Sequence, residues 1–232
     1  RAEAIAPRTS PTNIGLGLLA NLSAYDFGYL VTEQLLDRTA NTLHTMDVLE
    51  QYRGHFYNWY DTRSLQPLHP LYVSTVDSGN LAGHLLTLRG GLLELAHQKV
   101  LGQRFYAGLG DTWSVFMAAL DPADQELGAL AITCENELNA ASGDSLIEAH
   151  RAVPKLAALA DRMANRLGVR PGGDEALRWG TRLARQCYAA LDELERLAPW
   201  LTLPPVPAGL EVFFAPWRTS GIPTLAEISA QD

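Results

Sequence analysis

The 232-residue sequence offers little to sulfur or metal chemistry: it has two cysteines, Cys134 and Cys187, far apart and both inside helical patterns. Lone thiols of this kind behave as small buried hydrophobes and belong to a reducing compartment, and no disulfide has positive support. His44, His55, His69, His84, His97 and His150 show no close ligand spacing, and HExxH, CxxC and GxSxG motifs are all missing. No metal and no cofactor is therefore expected. A phosphate-cradling loop is also lacking. Gly108-Leu109-Gly110 lies in a helical pattern, follows no strand and has no accompanying Lys. Basic residues number 18 against 26 acidic ones, for a net charge of -8, and Lys and Arg do not cluster. That argues against a nucleic-acid partner. No apolar run approaches the roughly 18 residues of a membrane span, and no charged-then-apolar leader opens the chain. Direct membrane contact by this segment is not expected.

What is present is a globular composition, 47% hydrophobic and 19% charged, long enough for a substantial core in one large or two small domains. The first residue is Arg1 rather than Met, so a piece of a longer chain is expected. Apolar residues recur mostly at helical spacing. Residues 1–10 read as extended. Ser10-Pro11-Thr12 then starts a first helix with a capping hydroxyl and a Pro at the first position, and Ile14, Leu18, Leu22 and Tyr25 follow in one stripe. Gly15 and Gly17 weaken that helix, which points to something packed closely against its first turns. Thr32 caps a second helix with the stripe Leu36, Ala40, Leu43 and Met46, ended by Gly54. Tyr72-Val73-Ser74-Thr75-Val76 is β-branched enough for a short strand. Asp77 or Ser78 caps a third helix with the clearest stripe, Leu81, Leu85, Leu88, Leu92 and Leu95.

Further helices are read over 103–120, from Asp121-Pro122 to about 142, over 145–167 with a kink at Pro154, and over 174–197. In the third of these Leu156, Leu159, Met163 and Leu167 point inward; in the last the inward face is Leu177, Ala184, Cys187, Leu191 and Leu194. Pro199 and Pro204-Pro205-Val206-Pro207 end the regular structure. Phe213, Phe214 and Trp217 make the following tail too apolar for a free linker, and a short helix is placed at Pro223-Thr224-Leu225. The expected class is all-α, built from successive antiparallel helix pairs.

The longest gap between helices holds Gly54-His55-Phe56-Tyr57-Asn58-Trp59-Tyr60-Asp61-Thr62 and continues to Val73-Ser74-Thr75-Val76-Asp77-Ser78-Gly79-Asn80-Leu81. Aromatic rings beside amides and carboxylates on a loop make a surface for a sugar: rings stack on the apolar face of a pyranose while Asn and Asp bind its hydroxyls. The competing reading is a core-anchoring loop with buried rings and Asp77 as a helix cap. Glycosyl transfer requires two carboxylates flanking the bond, and Asp61 and Asp77 flank this loop. Asp61-Thr62-Arg63 could equally close a turn. Glu33, Glu50, Glu94 and the later glutamates read as solvated.

Arg8-Thr9-Ser10-Pro11-Thr12-Asn13-Ile14-Gly15-Leu16, then Tyr52-Arg53-Gly54-His55-Phe56-Tyr57-Asn58-Trp59-Tyr60-Asp61-Thr62, then YVSTVDSGNLAGHL at 72–85, resemble the central region of cyclic β-1,2-glucan synthases. The resemblance covers about residues 8–95; beyond 99 it is only to a variable helical stretch. It implies a glycoamylase-like (α/α)6 toroid, here partial, whose cleft binds β-1,2-glucan and which closes the linear chain into a ring by retaining transglycosylation. It further implies that His55, Tyr57, Asn58, Trp59, Tyr60, Asp61, Thr62, Asp77, Ser78 and Asn80 line the glucan cleft. Residues 1–98 would form the cleft half of the module, and 99–232 a variable helical segment with an apolar tail. The main catalytic pair would lie outside this chain, leaving it inactive or nearly so alone, with Asp61 and Asp77 the weaker candidates. The implied partners are β-1,2-glucan and the remaining domains of a parent at the cytoplasmic face of a bacterial inner membrane. An endo-β-1,2-glucanase-type hydrolase and a non-catalytic helical scaffold remain as alternatives, the scaffold requiring Trp59 and Tyr60 to be buried.

Overall fold

The computed structural model describes residues 6–121, 124–141, 145–168, 174–202 and 221–230. The architecture is all-α. Among the described residues the helices are α1 (Pro11–Asp26), α2 (Thr32–Val48), α3 (Thr75–Leu95), α4 (Gln103–Ala119), α5 (Gln125–Ala140), α6 (Leu146–Gly168), α7 (Asp174–Leu197) and α8 (Leu225–Ser229). A 3-10 turn spans Pro199–Thr202, and the two-residue strands are β1 (Arg8–Thr9), β2 (Gln51–Tyr52), β3 (His55–Phe56) and β4 (Tyr60–Asp61). The chain divides into two compact units, Arg1–Ala24 with Gln34–Ala96, and Tyr25–Glu33 with His97–Asp232.

The first unit is built on Leu18, Met46, Leu81 and Leu88, with Ile14, Leu22, Leu85 and Leu92 packed against them. The α3 stripe is thus the one its spacing gives, since Leu81, Leu88 and Leu95 are buried. Helix α1 begins at Pro11, and the Ser10 hydroxyl accepts the Asn13 N–H at 3.3 Å as an N-cap. Gly15 explains itself: a Cβ there would sit 2.4 Å from His84 Nδ1. Gly17 has open space instead, so close packing accounts for only one of the two glycines.

Helix α2 corrects its expected stripe. Leu36 and Leu43 are exposed, whereas Leu35, Thr39 and Met46 are buried. The buried face carries a threonine, so an apolar count sets the phase wrongly. Gly54 does not end this helix, which stops at Val48; with φ of 52° and 81°, Arg53 and Gly54 form the two-residue turn of the β2–β3 hairpin. A second antiparallel pair joins Arg8 to Asp61 and Thr9 to Tyr60, which ties the entry segment to the aromatic loop. Residues 72–76 form no strand; Ser74 is the N-cap of α3, its hydroxyl accepting the Asp77 N–H at 3.1 Å. Asp77 is therefore the third residue of the helix rather than its cap.

The second unit packs α4–α7 around Phe105, Leu109, Trp113, Phe116, Val153, Met163, Cys187 and Leu194. The inward face read for α6 holds, since Leu156, Leu159, Met163 and Leu167 are all buried; of the face read for α7, Ala184, Cys187 and Leu194 are buried while Leu177 and Leu191 are half-buried against the same core. Helix α6 continues through Pro154. Helix α5 starts later than expected, at Gln125, where the Asp124 carboxylate accepts the Glu126 and Leu127 N–H groups at 3.1 Å each. Gly108 lies on α4 where a Cβ would stand 2.4 Å from Phe27 O, so this glycine serves helix–loop packing, while Gly110 has open space. Thr224 and Glu227 form a reciprocal capping box that starts α8. The tail aromatics Phe213, Phe214 and Trp217 and the Pro204–Pro207 run lie outside the described residues.

Candidate functional site

Because Ser74 does the capping, the Asp77 carboxylate is free to act elsewhere. It sits in the first turn of α3, beside backbone N–H groups that favour a negative charge. Its Oδ1 accepts the Thr12 hydroxyl at 2.6 Å, and Thr12 Oγ1 in turn accepts Asn80 Nδ2 at 3.1 Å. Asn58 is buried, and the orientation that satisfies both ends of its amide turns the nitrogen to Asp77 Oδ2 at 2.8 Å. Its oxygen then accepts the Trp59 indole Nε1–H at 2.5 Å and the Tyr72 hydroxyl. The Asn58 N–H also donates to Tyr72 O at 2.9 Å. Burial acts to raise the Asp77 pKa, but hydrogen bonds from Thr12, Ser74 and Ser10 outweigh it and hold the carboxyl below its ordinary value. At neutral pH the group is an anion. It can orient donors but has no proton to give a leaving group.

Asp61 is differently employed. Its Oδ1 accepts the backbone N–H of Arg63 at 2.8 Å and of Ser64 at 2.9 Å, an Asx turn that closes the loop. The Ser64 and Arg63 N–H bonds hold its carboxyl below the usual value as well. Both flanking carboxylates are thus satisfied anions.

Of the rings, Tyr60 is fully buried: its hydroxyl donates to Glu50 O at 2.7 Å and accepts the Tyr57 N–H at 2.8 Å. It offers no face to a ligand and serves as the pillar of the loop. Trp59 and Tyr57 are half-buried, and the Arg8 guanidinium lies over the Trp59 ring at 4.9 Å. One face of that indole is occupied. His55, Thr62 and Asn80 are exposed, and the Ser78 hydroxyl is turned back onto Ser74 O at 2.9 Å. The structure thus brings together Asn58, Trp59, Asp77 and Asn80, and adds Thr12, Tyr72 and Arg8, which sequence reasoning had not placed at the site. Thr12 lies 65 positions from Asp77, so only the quoted first motif hinted at it.

The second unit holds another polar cluster. Glu193, read as solvated, is 2% exposed, because α7 turns it inward. Its carboxylate accepts the Glu33 N–H at 2.9 Å in a recess of about 10 Å³ also lined by Tyr25, Thr32 and Arg104. That leaves room for a single water at most, too little for a sugar. Burial pushes its pKa up to about 7, opposed by hydrogen bonds to Thr32 and the charge of Arg104. Among the described residues no group of three His, Cys, Asp or Glu side chains could hold a metal, and no helix is long and apolar enough to cross a membrane.

No family model matches the chain. A curated protein does: 118 residues are 45% identical to the cyclic β-(1,2)-glucan synthase NdvB of Rhizobium meliloti (strain 1021). This chain is related to the cyclic β-1,2-glucan synthases. The matched stretch covers 50% of the chain but 4% of that synthase, so the chain spans a small part of its relative's length. Identity of this level over so long a stretch ties the chain's sequence to the synthase well beyond chance, while leaving the synthase's activity a property of a far larger protein.

Proposed function

We propose that the first unit contributes a wall of the glucan site in the transglycosylating, ring-closing module of a cyclic β-1,2-glucan synthase, and that the chain binds β-1,2-glucan without turning it over. The observation that carries this reading is the network centred on Asp77, which fixes a half-exposed indole and the Asn58 amide on the loop and the Asn80 amide on the first turns of α3. Stacking and amide hydrogen bonds are the contacts a pyranose takes. The relation to a glucan synthase supplies the substrate class. The acid and the nucleophile are assigned to other parts of the parent, since both carboxylates at this loop are engaged as anions. The remaining parent domains are its partners, at the cytoplasmic face of a bacterial inner membrane.

Intrinsic Trp fluorescence during titration with linear β-1,2-glucan tests the proposal, with Trp59→Phe as control. A saturable change lost in the variant supports it; a wild-type trace without change counts against it. A scaffold role is the second reading; the complete burial of Tyr60 favours it, while Trp59, which it also requires to be buried, is half-buried. It predicts no response to glucan at all. A hydrolase built on the same loop would differ in product: linear oligosaccharides from the parent protein, one water heavier than the corresponding rings.

A further inference from the structure

We infer that Thr12 is a positioning residue of this site: its hydroxyl, bonded to Asp77 on one side and Asn80 on the other, locks the orientation of the Trp59 indole and the Asn80 amide through one directed chain of hydrogen bonds. The inference rests on the reading of the loop as a glucan site and adds a residue to it.

The direction of the chain follows from the chemistry of its members. A carboxylate can only accept, so the Thr12 proton points to Asp77 Oδ1 at 2.6 Å. The Thr12 oxygen is then left with lone pairs, and Asn80 must present its nitrogen, as it does at 3.1 Å. On the other side Asp77 Oδ2 takes the Asn58 nitrogen at 2.8 Å, which obliges the Asn58 oxygen to face donors. Those donors are the Trp59 indole N–H at 2.5 Å and the Tyr72 hydroxyl. Every proton in the chain therefore points toward Asp77, and the amide orientations of Asn58 and Asn80 have no freedom left. With its nitrogen on Thr12, exposed Asn80 offers its carbonyl oxygen as the acceptor for a sugar hydroxyl. Removal of the Thr12 hydroxyl frees that amide and takes one donor from the part-buried Asp77 carboxylate, which keeps those from Ser74 and Ser10. Cooperative networks of this kind lose more than one bond's worth when a member is deleted.

The test uses Thr12→Val, which keeps the shape, and Thr12→Ser, which keeps the hydroxyl. The first readout needs no ligand: the 15N–1H resonance of the Trp59 indole, with its solvent-exchange rate, in wild type and both variants. The expected result is a shifted, faster-exchanging indole in Thr12→Val and a wild-type-like one in Thr12→Ser. An indole unchanged in Thr12→Val overturns the inference whatever glucan does. The second readout is affinity for linear β-1,2-glucan, expected to fall about tenfold in Thr12→Val and to recover in Thr12→Ser, an energy that matches one hydrogen bond to a charged group. If the indole responds as expected but wild type does not bind glucan, the fault lies in the glucan reading, and the positioning role at this site falls with it. Equal losses in both variants would point to packing and also overturn the inference.

Discussion

Replacement of Glu193 by Gln should make the protein's stability less dependent on pH, with a sign that distinguishes burial from ion pairing. The carboxyl is 2% exposed, and its pKa stands at about 7 against an ordinary 4.5. Because the folded value is raised, the neutral form is favoured in the native state. The stability it confers is complete below pH 4.5 and is lost as pH rises through 7. A difference of two to three pKa units corresponds to about 3 kcal/mol, of which about 2.5 falls between pH 5 and pH 8.5. Gln cannot ionise and can still accept the Glu33 N–H through its amide oxygen. Urea unfolding of both proteins, followed by circular dichroism at pH 5 and at pH 8.5, isolates the effect because all other titrations are shared. The variant should be close to wild type at pH 5 and more stable by about 2–3 kcal/mol at pH 8.5. Parallel pH dependence in the two proteins would refute the reasoning, and a variant that loses ground as pH rises would show that Arg104 pairing outweighs burial.

Further outcomes follow from the packing. Gly17→Ala, with open space at its Cβ, should stabilise α1 by about 1 kcal/mol, whereas Gly15→Ala, which meets His84, should destabilise the same helix; thermal melts of the two compare them directly. Leu88→Ala should cost about 2–5 kcal/mol and Leu86→Ala almost nothing by urea titration, since Leu88 is 3% exposed and Leu86 72%. Cys134 and Cys187 are buried and free, and burial pushes the Cys134 thiol up to about 12 and Cys187 higher still. Neither should react with a thiol reagent at pH 8 until the second unit is unfolded.

What could be read from the sequence was what depends on near neighbours. The stripes of α3 and α6 are long and almost purely aliphatic, so their period and phase agree with the buried set. The phase of α2 was not legible, because its core face includes Thr39 while two of its leucines face outward. The start of α3 is misplaced in the sequence for a local reason: β-branched residues make 72–76 read as strand and leave Asp77 or Ser78 as the cap, whereas the backbone gives that position to Ser74. That choice decides the site, since it releases Asp77 for Thr12 and Asn58. The contacts that make the site, Thr12 to Asp77 and Asn58 to Tyr72, join distant positions through no periodic pattern. The burial of Glu193 is hidden from the sequence for the same reason, its partner Glu33 lying 160 positions away.

The central claim, that the Asp77-centred loop binds glucan, is tested most directly by calorimetric titration of linear β-1,2-glucan into wild type and Trp59→Ala, with a β-1,3-glucan of equal length as the linkage control. The account predicts a saturable heat for the β-1,2-linked chain that is abolished by Trp59→Ala and absent for the control. Equal heats for wild type and variant, or for both glucans, would contradict it.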